Sequence, residues 1–244
     1  MSQLRELWVL LIWQASRMRR FLPLAIVVQT LFAAGIVAGY PLLFPSLDAK
    51  TILFLATGAP AITLITIGLV AVPQLVAQAR TEGSLDYLRS MPVPRLLFLV
   101  ADLAIWLAIV LPGVVFAVVV ASVRFDLRLE ISPLVVPAML LVVLTATSIG
   151  YAIASVLPQA AANMLAQVLV VFVLMFSPLN FPPERLPGWL AAVHSVLPVQ
   201  AMGEVIRGTL AGNAFPLPVG AFVLLSAWCV GSVGVAWAVL ARRA

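Results

Sequence analysis

Charged residues punctuate this chain so sparsely that the gaps between them measure its elements. Residues 21–47, between Arg20 and Asp48, carry no charge, and neither do residues 51–79, between Lys50 and Arg80. From Leu96 to Val123 the only charge is Asp102. A helix crosses a hydrocarbon core in about 20 residues, so each of these stretches predicts one span. Residues 131–183 are uncharged throughout. As one straight helix they would reach roughly 80 Å, far beyond a bilayer core of about 30 Å. The chain must fold back, and Leu157-Pro158-Gln159 is the corner, because a proline disfavours helix in the residue before it. That gives spans four and five. Residues 208–241 supply the sixth, with Pro216 and Pro218 marking its start. The expected fold is an all-α integral membrane domain of six transmembrane helices, occupying residues 1–244 as one unit.

Residues 1–20 follow a different pattern. Leu4, Leu7, Trp8, Leu11, Ala15 and Met18 recur at helical spacing, with Ser2, Arg5, Gln14, Arg17 and Arg20 between them. The apolar run Leu7–Trp13 is too short to span and has no small-residue cleavage site after it. An amphipathic helix lying in the membrane interface is the expectation, with a ragged extension of span one as the alternative.

Composition narrows the class. Of 244 residues, 64% are apolar and 9% charged, and mean hydropathy is +1.16. Soluble domains carry about 25% charged residues, so a water-soluble globule, a disordered chain and a nucleic-acid module are excluded. The net charge of +5 suits anionic lipid headgroups. One cysteine, Cys229, and one histidine, His194, argue against an internal disulfide or an intramembrane metal site. His194 is expected to be a loop residue. With the N-terminus inside, nine basic residues (Arg5, Arg17, Arg19, Arg20, Arg80, Arg89, Arg95, Arg242 and Arg243) face the cytoplasm, against five (Lys50, Arg124, Arg128, Arg185 and Arg207) outside. The positive-inside rule therefore predicts cytoplasmic termini. No G-x-x-x-x-G-K loop is present, so the chain is not expected to hydrolyse ATP by that route.

Two loops carry information. In the inner one, residues 79–95, Gly83 can break the helix continuing from span two and Ser84 can cap a new short helix. Leu85 and Leu88 then share a face flanked by Asp86 and Arg89, and Pro92 and Pro94 turn the chain towards span three. Such a helix can transmit force from a cytoplasmic partner; an ordinary solvated loop is the alternative. The outer segment, residues 178–207, is too apolar to float free and too broken by proline to cross. Here the pattern predicts a short helix over Leu186–Val196 with Trp189 at the headgroup boundary, a turn at Pro198, and a second helix carrying Glu204 and Arg207. Those two are three apart and can pair on one helix face. A passive extracellular cap is the alternative.

Inside the spans, Thr63, Thr66, Gln74 and Gln78 lie close to one face of span two, and Asn163 and Gln167 are one turn apart in span five. Buried polar groups in a span face protein or a cavity, or bond back to their own helix. Asp102 lies near the inner interface, where it can pair with an arginine or stay hydrated. Gly35 and Gly39 in span one, and Ala146, Gly150 and Ala154 in span four, are small-residue packing faces.

The inner loop resembles the signature of type-2 ABC exporter permeases, the family of daunorubicin and nodulation-factor exporters, at Glu82, Gly83, Ser84, Leu85, Asp86, Leu88, Pro92 and Arg95. The outer segment is similar to that family's at Phe181, Pro182, Leu186, Pro187, Trp189, Leu190, Pro198 and Arg207, with Pro178 where a glycine is usual. The resemblance implies a multi-pass permease of the bacterial inner (cytoplasmic) membrane, without catalytic residues, metal or cofactor of its own. It would pair with a second permease chain, identical or related, and with two cytoplasmic ABC ATPase subunits that bind ATP and Mg. The residues Glu82 to Asp86, Leu88, Arg89 and Arg95 would couple to the ATPase. Spans two and five would line the path, with Thr63, Thr66, Gln74, Asn163 and Gln167 as candidates. Phe181, Leu186, Trp189, Pro198, Glu204 and Arg207 would form an outer gate. The cargo would be hydrophobic or amphipathic: a drug, antibiotic, lipid or glycolipid. A haem-export permease of cytochrome c maturation and a non-transporting assembly subunit remain the alternatives. A membrane enzyme is disfavoured, because an intramembrane serine protease needs a histidine at membrane depth and H-E-x-x-H needs two.

Overall fold

The computed structural model describes residues 3–20, 22–43, 49–81, 95–127 and 129–242. Among these the structure is helical, and six helices are long and apolar enough to cross a membrane. The first helix, α1, spans Gln3–Met18, and span one is α2, Leu22–Leu43. Span two is continuous through three pieces: α3 (Ala49–Thr66), a π-helical turn (Ile67–Ala71) and α4 (Val72–Thr81). Spans three to five are α5 (Arg95–Phe125), α6 (Val135–Val156) and α7 (Gln159–Phe176). The corner at Leu157-Pro158 lies where the sequence places it, with both residues in extended backbone. A short 3₁₀ turn at Pro183–Arg185 leads to α8 (Gly188–Val196) and α9 (Pro198–Leu210), and span six is α10 (Val219–Arg242).

Span two is the axis of the domain. It is buried over 83% of its length, against 17% for spans one and five. On one side α5 packs on α2 and α3, with α1 alongside α5; on the other α6 packs on α10 and on the π turn, and α9 packs on α3. The fully buried side chains Ile62, Leu64 and Ile65 of α3 meet Val110 and Val114 of α5, Val142 of α6, and Met202 and Ile206 of α9 in one continuous core. The outward faces are apolar too: Leu24, Val27 and Leu31 on α2, Met164, Val168 and Val171 on α7, and Val223 and Val230 on α10 are all exposed. In water such a surface would drive aggregation; in lipid it is the ordinary solvent face.

The π turn has a local cause. In a regular helix the ring of Pro73 would press on the carbonyl four residues back, and proline has no N–H to offer it. Widening the preceding turn relieves this, and the Val72 N–H donates to the Ile67 carbonyl five residues back. The widened turn sits against the small-residue face expected in span four. A Cβ on Gly68 would overlap Ala146, and a Cβ on Gly150 would overlap the Gly68 carbonyl. Span four's small residues thus let the two backbones touch within one chain. Among the described residues a Cβ at Gly35 or Gly39 of span one would meet nothing within 4 Å, so that pair makes no such contact with them.

Among the described side chains of α1, Leu10 is buried, while Trp8, Val9 and Ile12 are exposed. Two helix ends are fixed by identifiable groups. Asp126, with φ 49°, stops α5 in the left-handed conformation that aspartate tolerates better than most residues. The Val196 carbonyl at the end of α8 faces a proline-led helix that cannot serve it, and Trp228 Nε1 of span six donates to it at 2.8 Å.

Candidate functional site

The outer segment folds into two helices that meet at 77°. Leu197 between them is extended, and Pro198 opens α9 at a position where its missing N–H costs nothing. α8 begins at Gly188 and leaves Leu186, expected in the helix, in the extended approach to it. Trp189 is exposed on α8, and Phe181 and Leu186 are half-buried. His194 is no loop residue. It lies in the last turn of α8, buried, with its ring stacked on Phe172 at 6.0 Å between centroids. Prolines at 187 and 198 made the stretch look broken, but they bracket a helix rather than interrupt it.

α9 is nearly all buried between α3, α6 and α10. The segment 129–134 before span four holds its far end, with Ser132 N donating to Thr209 O at 2.8 Å and Gly212 N to Glu130 O at 3.2 Å. In the last turn of α9 is Arg207, 4% exposed. Its guanidinium carbon lies 3.4 Å from the centroid of Phe54 on α3 and 5.7 Å from that of Phe215, and the two rings meet edge to face. Nη2 donates to the Leu179 carbonyl at 3.2 Å. The expected pairing with Glu204 is not made as a direct ion pair: the carboxylate attracts Arg207 across a gap and accepts from Gln200 Nε2 at 2.8 Å, one turn back on the same helix. The guanidinium turns inward to the rings and the carboxylate stays half-buried, so the two groups sit in different surroundings.

Leu179 is the point on which three elements converge. It sits in the turn after α7, where Ser177 is extended and Asn180 Nδ2 donates to the Leu174 carbonyl at 3.2 Å. A Cβ on Gly58 would overlap the Leu179 carbonyl, and a Cβ on Gly203 would overlap its Cδ2. Phe54 and Gly58, one turn apart on span two, therefore form a groove that takes the exit turn of span five and Arg207 together. The sequence reading missed Phe54, Gly58, Leu179 and Phe215. The available signal was Arg207 itself, since a cation in an apolar helix needs partners, but those partners lie in distant parts of the chain.

Along the rest of span two, Thr63 Oγ1 donates to the Ala59 carbonyl at 2.6 Å and Thr66 Oγ1 to the Ile62 carbonyl at 2.7 Å. Both hydroxyls are thus satisfied by their own helix. Thr66 also borders a shallow apolar crevice between spans two and five, with Ile65, Leu69, Leu169, Val170 and Val173. Gln74 is half-buried, and Gln167 of span five is exposed. Asn163 Oδ1 is enclosed and accepts no hydrogen bond. The proposed coupling residues Glu82, Gly83, Ser84, Leu85, Asp86, Leu88 and Arg89 lie outside the described residues, as does the side chain of Arg95. The same holds for the side chain of Asp102. Among the described residues no three His, Cys, Asp or Glu side chains converge as a metal site would require.

Six apolar helices, the second of them buried, with a sharply broken helix pair packed on that second span, define a multi-pass helical membrane protein. Residues 2–211 match the model of the ABC-2 type transporter membrane family, and the chain belongs to that family. It is a permease component of such a transporter, a class that works with ATPase partners. No curated protein matches the chain.

Proposed function

We propose that this chain is one half of an ATP-driven export permease in the bacterial inner membrane, with both termini cytoplasmic. A second permease chain completes the path, and two cytoplasmic ABC ATPases, which hold ATP and Mg, engage the loop 79–95 through Glu82–Asp86, Leu88, Arg89 and Arg95. ATP-driven closure of the ATPases rocks the permease halves, and a hydrophobic or amphipathic cargo leaves along the faces of spans two and five past Thr66 and Gln167. α1 lies in the inner interface, and the α8–α9 pair re-enters the outer leaflet as the gate.

The observation that carries this reading is the tie between α9 and span two through Arg207, Phe54 and Leu179. It couples the outer segment to the helix whose inner end leads into the coupling loop, so motion at one end has a rigid route to the other. The test is reconstitution. The chain should copurify with an ATPase bearing a phosphate-binding loop, and in proteoliposomes candidate amphiphiles should raise that ATPase's rate. A chain that purifies alone, or that leaves hydrolysis unchanged for every amphiphile class, contradicts the proposal.

A further inference from the structure

Among the described residues Arg207 makes no direct ion pair; the Glu204 charge attracts it without serving its N–H donors. A guanidinium offers five N–H donors. Here Nη2 reaches the Leu179 carbonyl at 3.2 Å, long for a bond from a charged donor, and Nε is enclosed without a partner. Glu204, one turn back, is engaged by Gln200. The faces of Phe54 and Phe215 attract the cation. Yet ring quadrupoles recover only part of what it costs to take a guanidinium out of water, and a buried guanidinium ordinarily has an anion hydrogen-bonded to it. Two residues before Leu179, Ser177 Oγ is likewise buried and unpartnered, so a hydroxyl donor is available on the same turn.

We infer that Arg207 is the core of an oxyanion site of phosphate type, in which the anion displaces the Leu179 carbonyl from the guanidinium. A phosphate oxygen is a stronger acceptor than a carbonyl and presents two oxygens to the planar fork. The phenyl rings of Phe54 and Phe215 hold the guanidinium plane in place during the exchange. Beyond Phe215 the chain exposes Leu217 and Val219, an apolar surface suited to the first carbons of a lipid tail. Occupation removes the hydrogen bond between α9 and the exit turn, so the anion loosens the contact that the proposed gate depends on. The inference rests on the gate reading for its consequence, but not for the binding itself.

The test is binding of phosphatidylglycerol, with phosphatidylcholine as control, to the delipidated full chain in detergent, followed by native mass spectrometry. Wild type should retain phosphatidylglycerol at least tenfold better than phosphatidylcholine, and Arg207→Gln should lose that preference. Arg207→Lys should keep part of it. Inorganic phosphate supplies the second arm: displacement of the lipid by millimolar phosphate identifies a site for the free anion, and retention in phosphate buffer identifies the headgroup as the source. The wild-type competition needs no variant, so a misfolded Arg207→Gln does not spoil the result. Equal retention of the two lipids by wild type, or unchanged phosphatidylglycerol retention in a monodisperse Arg207→Gln, overturns the inference. The gate reading is tested without anionic lipid, so the two can fail separately.

Discussion

Arg207 and Phe54, far apart in sequence, stack with 3.4 Å between guanidinium carbon and ring centroid. A desolvated cation–π contact is worth about 2 kcal/mol. Phe54→Leu should therefore lower the stability of the detergent-solubilised chain by about 2–4 kcal/mol, the ring's lost packing adding to the lost attraction. The combination of Phe54→Leu with Arg207→Met should cost less than the sum of the two single changes, with a coupling of about 1–2 kcal/mol. Thermal or denaturant unfolding of the four proteins measures it; strict additivity would mean that the stack contributes nothing of its own.

The two glycines against Leu179 should behave differently. At Gly203 the obstacle is the end of the Leu179 side chain, so Gly203→Ala should be rescued by Leu179→Ala. At Gly58 the obstacle is the Leu179 backbone carbonyl, which no side-chain change removes. Gly58→Ala should stay destabilised, by about 1–3 kcal/mol as for other overpacked sites, in either background. Comparing unfolding midpoints across the set checks both halves.

Much of this fold was legible in the sequence, for a simple reason. Lipid imposes length and apolarity on every crossing segment, so uncharged stretches and the proline at 158 marked spans one to six and the turn between four and five. Small residues at Ala146 and Gly150 likewise pointed to a close helix contact. What the sequence left open depends on contacts between distant segments. Phe54 is one apolar residue among many until Arg207 lies on it, and Gly58 is unremarked until a carbonyl occupies its missing side chain. Glu204 and Arg207 looked like a pair because helical spacing permits it; burial of one and partial exposure of the other separated them. The π turn follows from Pro73, but its packing partner on span four is set by tertiary structure.

Topology can be checked directly. Cysteines introduced at positions 2 and 243, in a background without Cys229, should resist an impermeant maleimide in intact cells and react after permeabilisation. Reaction of either site in intact cells would reverse the orientation proposed for the chain.

Coupling can be probed at the inner loop. Gly83→Leu or Glu82→Lys should leave insertion and expression intact while reducing ATP-driven export at least tenfold, because the loop presents Leu85 and Leu88 in a geometry that glycine permits. Wild-type export by both variants, measured in the reconstituted complex, would exclude a coupling role.

The central claim is that the α8–α9 pair is the outer gate, which would open by parting α9 from the exit turn during the transport cycle. Leu179 is fully buried at their junction, so a cysteine there reports separation without knowledge of the cargo. In a Cys229→Ser background, with the ATPase partner reconstituted, Leu179→Cys should react with a soluble maleimide several-fold faster under ATP turnover than without nucleotide. A labelling rate that is the same in both conditions, in a complex that hydrolyses ATP normally, would show that the junction stays closed and that the gate lies elsewhere.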